Sequence, residues 1–498
     1  KASAGAVQNS AEADIDFVDL SLNQHSLEAG SSNAGQMEGR SLSLEAGHNF
    51  RQGASGSLSV SELKMEENTI LENLGRVEIK PASDGFSPSH DMKGQFINRG
   101  NALLAETKQL NIGSEPTADH KVEAKFHTEA GAQTSFADAL VKTGSELKNE
   151  GQESGKNLVV EKLAAYLIIS RGESVWEDVR LEGNATISGG KLQVTTGFLR
   201  VENGATLLND GGTIHAHLID ESHVIGTIIN KGEARFNQLT LSEGSESHNY
   251  GYQVGKLLLV RSDSTGHNTY EDSRSQWEKV ELNEALTNKG SFVITQQLDA
   301  KADITNHGTG FLDTSGTQGF ITAHNLVNYG EAKHQDVTLG DLVEGPSSEV
   351  SPSSDLTNPA DPEDQTNLSA VQQGTEPNNP PKKSPETKSD SDLLLQENPR
   401  EDESPEENTS EKDASGDGSV IDSSQVIRSA RMENHGTETG RNLTITGSAS
   451  YLNTAKTQWQ NLTIRDKGIY ESTAGEVKLQ NFNLEKGQAF VKGGSLET

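Results

Sequence analysis

One phrase constrains this chain more than any other: an aliphatic residue stands two places before an asparagine and a glycine two places after it. It appears as Leu207-Leu208-Asn209-Asp210-Gly211, Ile228-Ile229-Asn230-Lys231-Gly232, Leu286-Thr287-Asn288-Lys289-Gly290, Ile304-Thr305-Asn306-His307-Gly308 and Leu326-Val327-Asn328-Tyr329-Gly330. Weaker copies at Asn249 with Gly251, and at Asn268, fill the gap. The asparagines at 209, 230, 249, 268, 288, 306 and 328 are 21, 19, 19, 20, 18 and 22 residues apart. A second file, Val179, Leu199, Leu218, Leu239, Leu257, Val280 and Leu298, keeps the same period. Leu239 and Val337 each lie 9 residues after an asparagine of the first file.

A segment of about 20 residues with short alternating runs buries too little apolar surface to fold alone, but stacked on copies of itself it builds a continuous core. Each run then pairs with its copy in the next coil at about 4.8 Å. The expected fold is all-β, a right-handed parallel β-helix of about 20 residues per coil. Inward asparagines one above another would form a structural ladder of stacked amides at Asn209, Asn230, Asn249, Asn288, Asn306, Asn328, Asn434 and Asn453. The glycine two places on is expected to serve a tight bend with positive φ.

The same period sets the boundaries. Residues 1–160 read as degenerate repeats with loop insertions; the stretch from Thr117 to Leu147, rich in Ala, Glu and Lys, reads as loops or a short helix. Residues 161–343 are the regular β-helix. In 344–419, ten of the 13 prolines fall between Pro346 and Pro405 and no aromatic occurs, so a disordered acidic linker is expected there. Residues 420–498 resume the repeat in phase, with Leu443 and Leu462 each 9 residues after an asparagine. The linker is therefore read as looped out of one tube, with two tethered tubes as the alternative. The chain begins Lys1-Ala2-Ser3 and stops in mid-pattern at Gly493-Gly494-Ser495-Leu496, which reads as a piece of a longer protein with any signal peptide outside it.

Composition removes several function classes. A net charge of −32 leaves no basic face for nucleic acid, and no run of 18 apolar residues is present to cross a bilayer. With no cysteine, thiol catalysis and thiolate metal sites are excluded. The three tryptophans, Trp176, Trp277 and Trp459, open the same phrase, and Phe236 takes their place in another copy. That points to corner packing rather than a sugar-stacking platform.

In the first repeats, Ser26-Leu27-Glu28-Ala29-Gly30 returns as Ser43-Leu44-Glu45-Ala46-Gly47, preceded by Asn33-Ala34-Gly35 and Arg40-Ser41-Leu42. With the Asn-x-Gly phrase, this resembles the repeat region of filamentous haemagglutinin-like exoproteins, the large substrates of two-partner secretion. The resemblance covers the repeat blocks. It implies a secreted or surface-displayed filament, an adhesin or the stalk that presents a toxin. It also implies an outer-membrane secretion partner, and contact with a receptor or glycan on a host or neighbouring cell. The family's secretion domain and a terminal toxin module are not visible in the sequence.

A β-helix can also be a polysaccharide lyase or hydrolase, built on carboxylates from adjacent coils. Glu202, Glu221, Glu243 and Glu284 follow the second file at similar offsets, and His215 and His217, with His223 nearby, have the spacing of a metal pair. In so acidic a chain the glutamates read as a solvated face, and no further ligand is fixed beside the histidines. No phosphate loop, G-x-S-x-G elbow, H-E-x-x-H or calcium-loop motif occurs. The expectation is a non-catalytic filament section without catalytic, cofactor or metal residues and without a cofactor. A carbohydrate-active enzyme is the rival reading.

Overall fold

The computed structural model describes residues 2–4, 6–23, 30–80, 90–104, 109–114, 123–262, 264–317, 325–339 and 431–497. The expected linker, 344–419, and the Ser26–Ala29 part of the first repeat lie outside them. Among the described residues there is no helix, and so none long and apolar enough to cross a membrane. Every paired strand is parallel, and the chain is a β-solenoid of roughly 20 residues per turn.

Two sheets run the length of the solenoid. The narrower is a file of twenty short strands among the described residues, from Gln8–Asn9 to Gln488–Val491. The wider contains strands of up to ten residues that bend in the middle. In Glu173–Leu181 the inward residues are Ser174, Trp176, Val179 and Leu181, and the step of three between Trp176 and Val179 marks the bend. Where the bend is sharper the strand divides, as in Lys191–Val194 and Leu199–Val201. Alternate residues of both sheets point into one interior, which is filled by Leu, Ile, Val and aromatic rings in a single continuous cluster.

The register explains which parts of the sequence pattern were in phase. Val179 pairs with Leu199, but Leu199 then pairs with Ser222, not Leu218. Leu218 is 55% exposed, because its coil carries extra residues between Thr213–Ala216 and Ser222–Val224. Leu257 is off by one: Leu258 is the buried residue paired with Leu239 and Val280. Asn268 is also off by one, since Thr269 pairs with Asn249 and Asn288 while Asn268 faces outward beside His248. The stretch up to Leu147 holds no helix among its described residues; it forms the strands Lys125–Thr128, Gln133–Phe136 and Asp138–Val141.

Across the segment that is not described, the coils adjoin directly. Asn325–Asn328 pairs with Arg431–Asn434, and Asp336–Leu339 with Asn442–Ile445.

Glycine follows asparagine for a reason other than positive φ. At Gly232, Gly251, Gly330 and Gly436 φ is not positive, but a Cβ would lie 2.1–2.3 Å from a carbonyl oxygen of the preceding coil. The backbone of one coil rests on that of the last, and only hydrogen fits between them. Gly211, with φ 82° and open space around it, suits the bend explanation, and Gly308, whose Cβ would have its nearest neighbour at 3.9 Å, fits neither. Gly330→Ala should therefore weaken the coils on both sides by about 2 kcal/mol through overpacking, whereas Gly211→Ala should cost only about 1 kcal/mol of backbone strain. Native-state hydrogen exchange across Asn306–Lys333 and Asn209–Leu241 measures both; equal effects would contradict the close-approach account.

Candidate functional site

The asparagine positions are brought into one file inside the narrower sheet. Asn209 Nδ2 donates to Asn230 Oδ1 at 2.7 Å, and Asn230 to Asn249 at 2.9 Å. Asn288 donates to Asn306 at 2.8 Å, Asn306 to Asn328 at 2.7 Å, Asn328 to Asn434 at 2.9 Å and Asn434 to Asn453 at 2.9 Å. Thr269 fills the place between Asn249 and Asn288; its hydroxyl donates to Asn288 Oδ1, while Asn249 Nδ2 donates to Ser275 Oγ at 2.9 Å instead. The second amide hydrogen goes to a backbone carbonyl of the next coil, such as Glu233 O from Asn209. The side-chain oxygen accepts from the glycine N–H two places on, as in Gly232 to Asn230 and Gly436 to Asn434.

The file extends further toward the N-terminus than the phrase showed: Asn9, Asn33, Gln52, Asn73, Asn98, Thr128 and Asn149 occupy the same register. Ile168 and Ile187 then interrupt it. Asn209, just after the interruption, has a buried Oδ1 without a partner, because Ile187 offers no donor. Apart from Asn209 Oδ1 and Gln52 Nε2, the buried amides of the file are satisfied within the solenoid, and all of them face its interior.

The surface candidates do not converge. The His215 and His217 rings meet edge to face at 5.4 Å, while His223 lies on a separate strand and bonds Ser242 Oγ at 2.6 Å. Glu202 is one residue past its strand end, Glu243 and Glu284 are two past theirs, and Glu221 precedes its strand. The four thus form no single stripe. Glu202 is held by Arg180 and Arg200 at 3.1 and 2.8 Å. Among the described residues, no group of three or more His, Cys, Asp or Glu could hold a metal ion. Shallow outer grooves of about 220 and 230 Å³ lie where the strand bends at Gly440 and Gly255; the first is lined by Gln458, Gln460, Gln480 and Lys478 without a carboxylate.

The chemistry-bearing groups lie inside. Each tryptophan is buried and sits over a glycine of the preceding coil: Trp176 over Gly155, Trp277 over Gly255, Trp459 over Gly440. A Cβ on any of these glycines would fall 2.0–2.2 Å from the indole ring. Through that gap each indole stacks on a ring two coils away. The centroid distances are 5.5 Å to Phe136, 6.5 Å to Phe236 and 6.1 Å to His334, although two rungs span about 9.6 Å. Such interlocked, fully covered indoles cannot serve as an exposed sugar platform.

Two places before each glycine is a buried polar side chain: Glu153, Gln253 or Glu438. Glu153 accepts from Thr128 Oγ1 at 2.9 Å and from the Tyr166 hydroxyl at 3.3 Å, and Trp176 Nε1 donates to that hydroxyl at 3.1 Å. Glu438 accepts from the Tyr451 hydroxyl at 2.8 Å. Burial without a cation drives both carboxyls up to about 8 and raises the two tyrosines as well. In the third copy His267 takes the tyrosine's place; burial pulls its pKa down to about 3, and its Nδ1 lies 2.9 Å from Ser247 Oγ. The periodicity argument missed this set. The visible signal was Gly-x-x-x-Gly followed by Lys or Arg, in Gly151–Lys156, Gly251–Lys256 and Gly436–Arg441.

No protein-family model, no curated protein and no solved structure matches the chain.

Two outcomes follow from this geometry. Asn306→Leu leaves one amide hydrogen of Asn288 without a partner and removes one of the two donors to Asn328 Oδ1, so it should cost about 2 kcal/mol and lower exchange protection in both adjoining coils. Loss confined to its own coil would show that the amides do not act as a file. His267, and His334 at about 4, are neutral when folded but titrate near 6.5 when exposed. Their contribution is complete above about pH 6.5 and is lost as pH falls toward the folded values. Exchange protection around His267–Leu282 should drop between pH 6.5 and pH 4, and His267→Gln should abolish that drop.

Proposed function

We propose that the chain is a structural and adhesive section of a secreted, surface-displayed filament, a shaft that gives reach and repeated contact and does no catalysis. The observation that carries this reading is the stacking: among the described residues coil follows coil from Gln8–Asn9 to Gln488–Val491, over one interior cluster that runs from Leu20 to Leu479. The strongly shifted carboxyls and imidazoles, Glu153, Glu438, His267 and His334, are locked in that interior. The asparagine ladder supports it as scaffolding, because side chains that satisfy one another hold coils together and leave nothing for a substrate.

The filamentous haemagglutinin-like resemblance adds the setting: export through an outer-membrane partner, and contact with a receptor or glycan on another cell through outer loops and faces. The rival, a carbohydrate-active enzyme, needs carboxylates converging on a groove. The acidic residues proposed for that role are spread over different strand ends, and Glu202 is held between two arginines.

Incubation with polygalacturonate and related glycans, with and without Ca²⁺, should release neither unsaturated nor reducing ends, while fluorescently labelled chain should bind target cells. Turnover of any of these polymers would replace the shaft with an enzyme.

A further inference from the structure

The glycine-tryptophan interlocks recur at a fixed interval. Following the strand pairings of the narrower sheet from Gln8–Asn9, Gly155 lies in the seventh coil, Gly255 in the twelfth and Gly440 in the seventeenth. The second coil carries the same Gly-x-x-x-Gly-Arg at Gly35–Arg40, with Phe17 packed against Gly39. The solenoid therefore has a five-coil super-repeat. Each unit is a cassette of a ring above (Phe17, Phe136, Phe236, His334), a glycine in the middle and, in the last three, an indole below.

One inward place in the cassettes varies in charge: Met37, Glu153, Gln253 and Glu438 hold it in successive units. Gln253 shows that an uncharged amide of the same shape fits there. A carboxyl at that place faces only neutral groups. Around Glu153 these are Thr128, Thr134 and Ser174, with Tyr166 as the one titratable neighbour acting on it. Around Glu438 they are Tyr451, Tyr470 and Thr457, with His334 stacked on Trp459 in the coil before. Glu438 Oε1 and His334 Nε2 are both buried without a partner. No Lys or Arg acts on either carboxyl, so ionisation would leave an uncompensated charge inside a dry core.

We propose that the Glu153 and Glu438 cassettes are proton-operated joints, closed while the carboxyl keeps its proton and opening the surrounding coils when it is lost. This goes beyond the shaft reading and holds whatever the shaft contacts. Both carboxyls hold their protons to about pH 8 in the folded chain, against about 4.3 when exposed. Folding is therefore favoured fully below the exposed value, and the advantage shrinks as pH rises toward 8. The local opening constant should grow roughly tenfold per pH unit between about 5 and 8 around Glu153, and between about 6.5 and 8 around Glu438, where His334 offsets the trend at lower pH. The Gln253 cassette lies midway between the two joints and lacks this response.

Native-state hydrogen exchange on the full chain, corrected for intrinsic rates at pH 5.5, 7 and 8.5, tests the proposal. Protection should fall with rising pH in Glu146–Leu181 across the range and in Arg431–Ile464 from pH 7 to 8.5, where His334 is neutral in both states, and stay level in Glu246–Leu282 from pH 7 to 8.5. Glu153→Gln should flatten the response in the first region only, and Glu438→Gln in the second only. Constant protection in the wild-type chain, or a response that survives both substitutions, overturns the proposal. Infrared difference spectra of the folded wild-type chain at pH 7 supply a check independent of the variants. A protonated-carboxyl band should be present there and shrink toward pH 9; its absence overturns the proposal as well.

Discussion

The structure depends on one constraint: each coil must lie in register with the coil before it. Parallel backbone hydrogen bonding fixes the spacing at about 4.8 Å, and that spacing decides what each position can hold. Gly232, Gly251, Gly330 and Gly436 exist because two backbones touch there. Asn209, Asn230 and Asn249 can satisfy one another because like residues face each other at hydrogen-bonding distance. A slip of one residue would turn the inward set outward and break both arrangements together.

The interior is correspondingly less oily than its outline suggests. It combines an aliphatic column with a polar file and with carboxyls and imidazoles buried by the packing. The polar file is satisfied internally, and where it is interrupted, at Ile168 and Ile187, the next amide oxygen is left unpartnered. The buried glutamates and histidines titrate in opposite senses, so the coils holding Gln253 and His267 respond to acid, those holding Glu153 to base, and those holding His334 and Glu438 to both.

The period, the coil and the place of the tryptophans were legible in the sequence, because register forces the same residue types to recur. Phe236 and Trp277 occupy one column, as their shared phrase suggested, with Gly255 between them. The errors came from counting along the chain where the fold counts along the axis. Extra residues before Ser222 shift Leu218 out of phase, and a one-place shift puts Leu258 where Leu257 was expected. The role of glycine was misjudged because a bend and a close approach favour the same residue and differ only in φ. The buried glutamates were invisible to a search for surface chemistry, since nothing local in Glu153 or Glu438 distinguishes them from their many solvated neighbours. Only the flanking glycines and the tyrosine 13 residues later do so.

The amide file also has a direction. In the run from Asn209 to Asn249, and again from Asn288 to Asn453, the donated hydrogen points to the following coil and never to the preceding one. A finished turn thus ends in an unmet N–H, and the turn that meets it must arrive with an oxygen already placed. Assembly that began at the amino end would leave a template at its growing tip, so the solenoid has a built-in direction of winding.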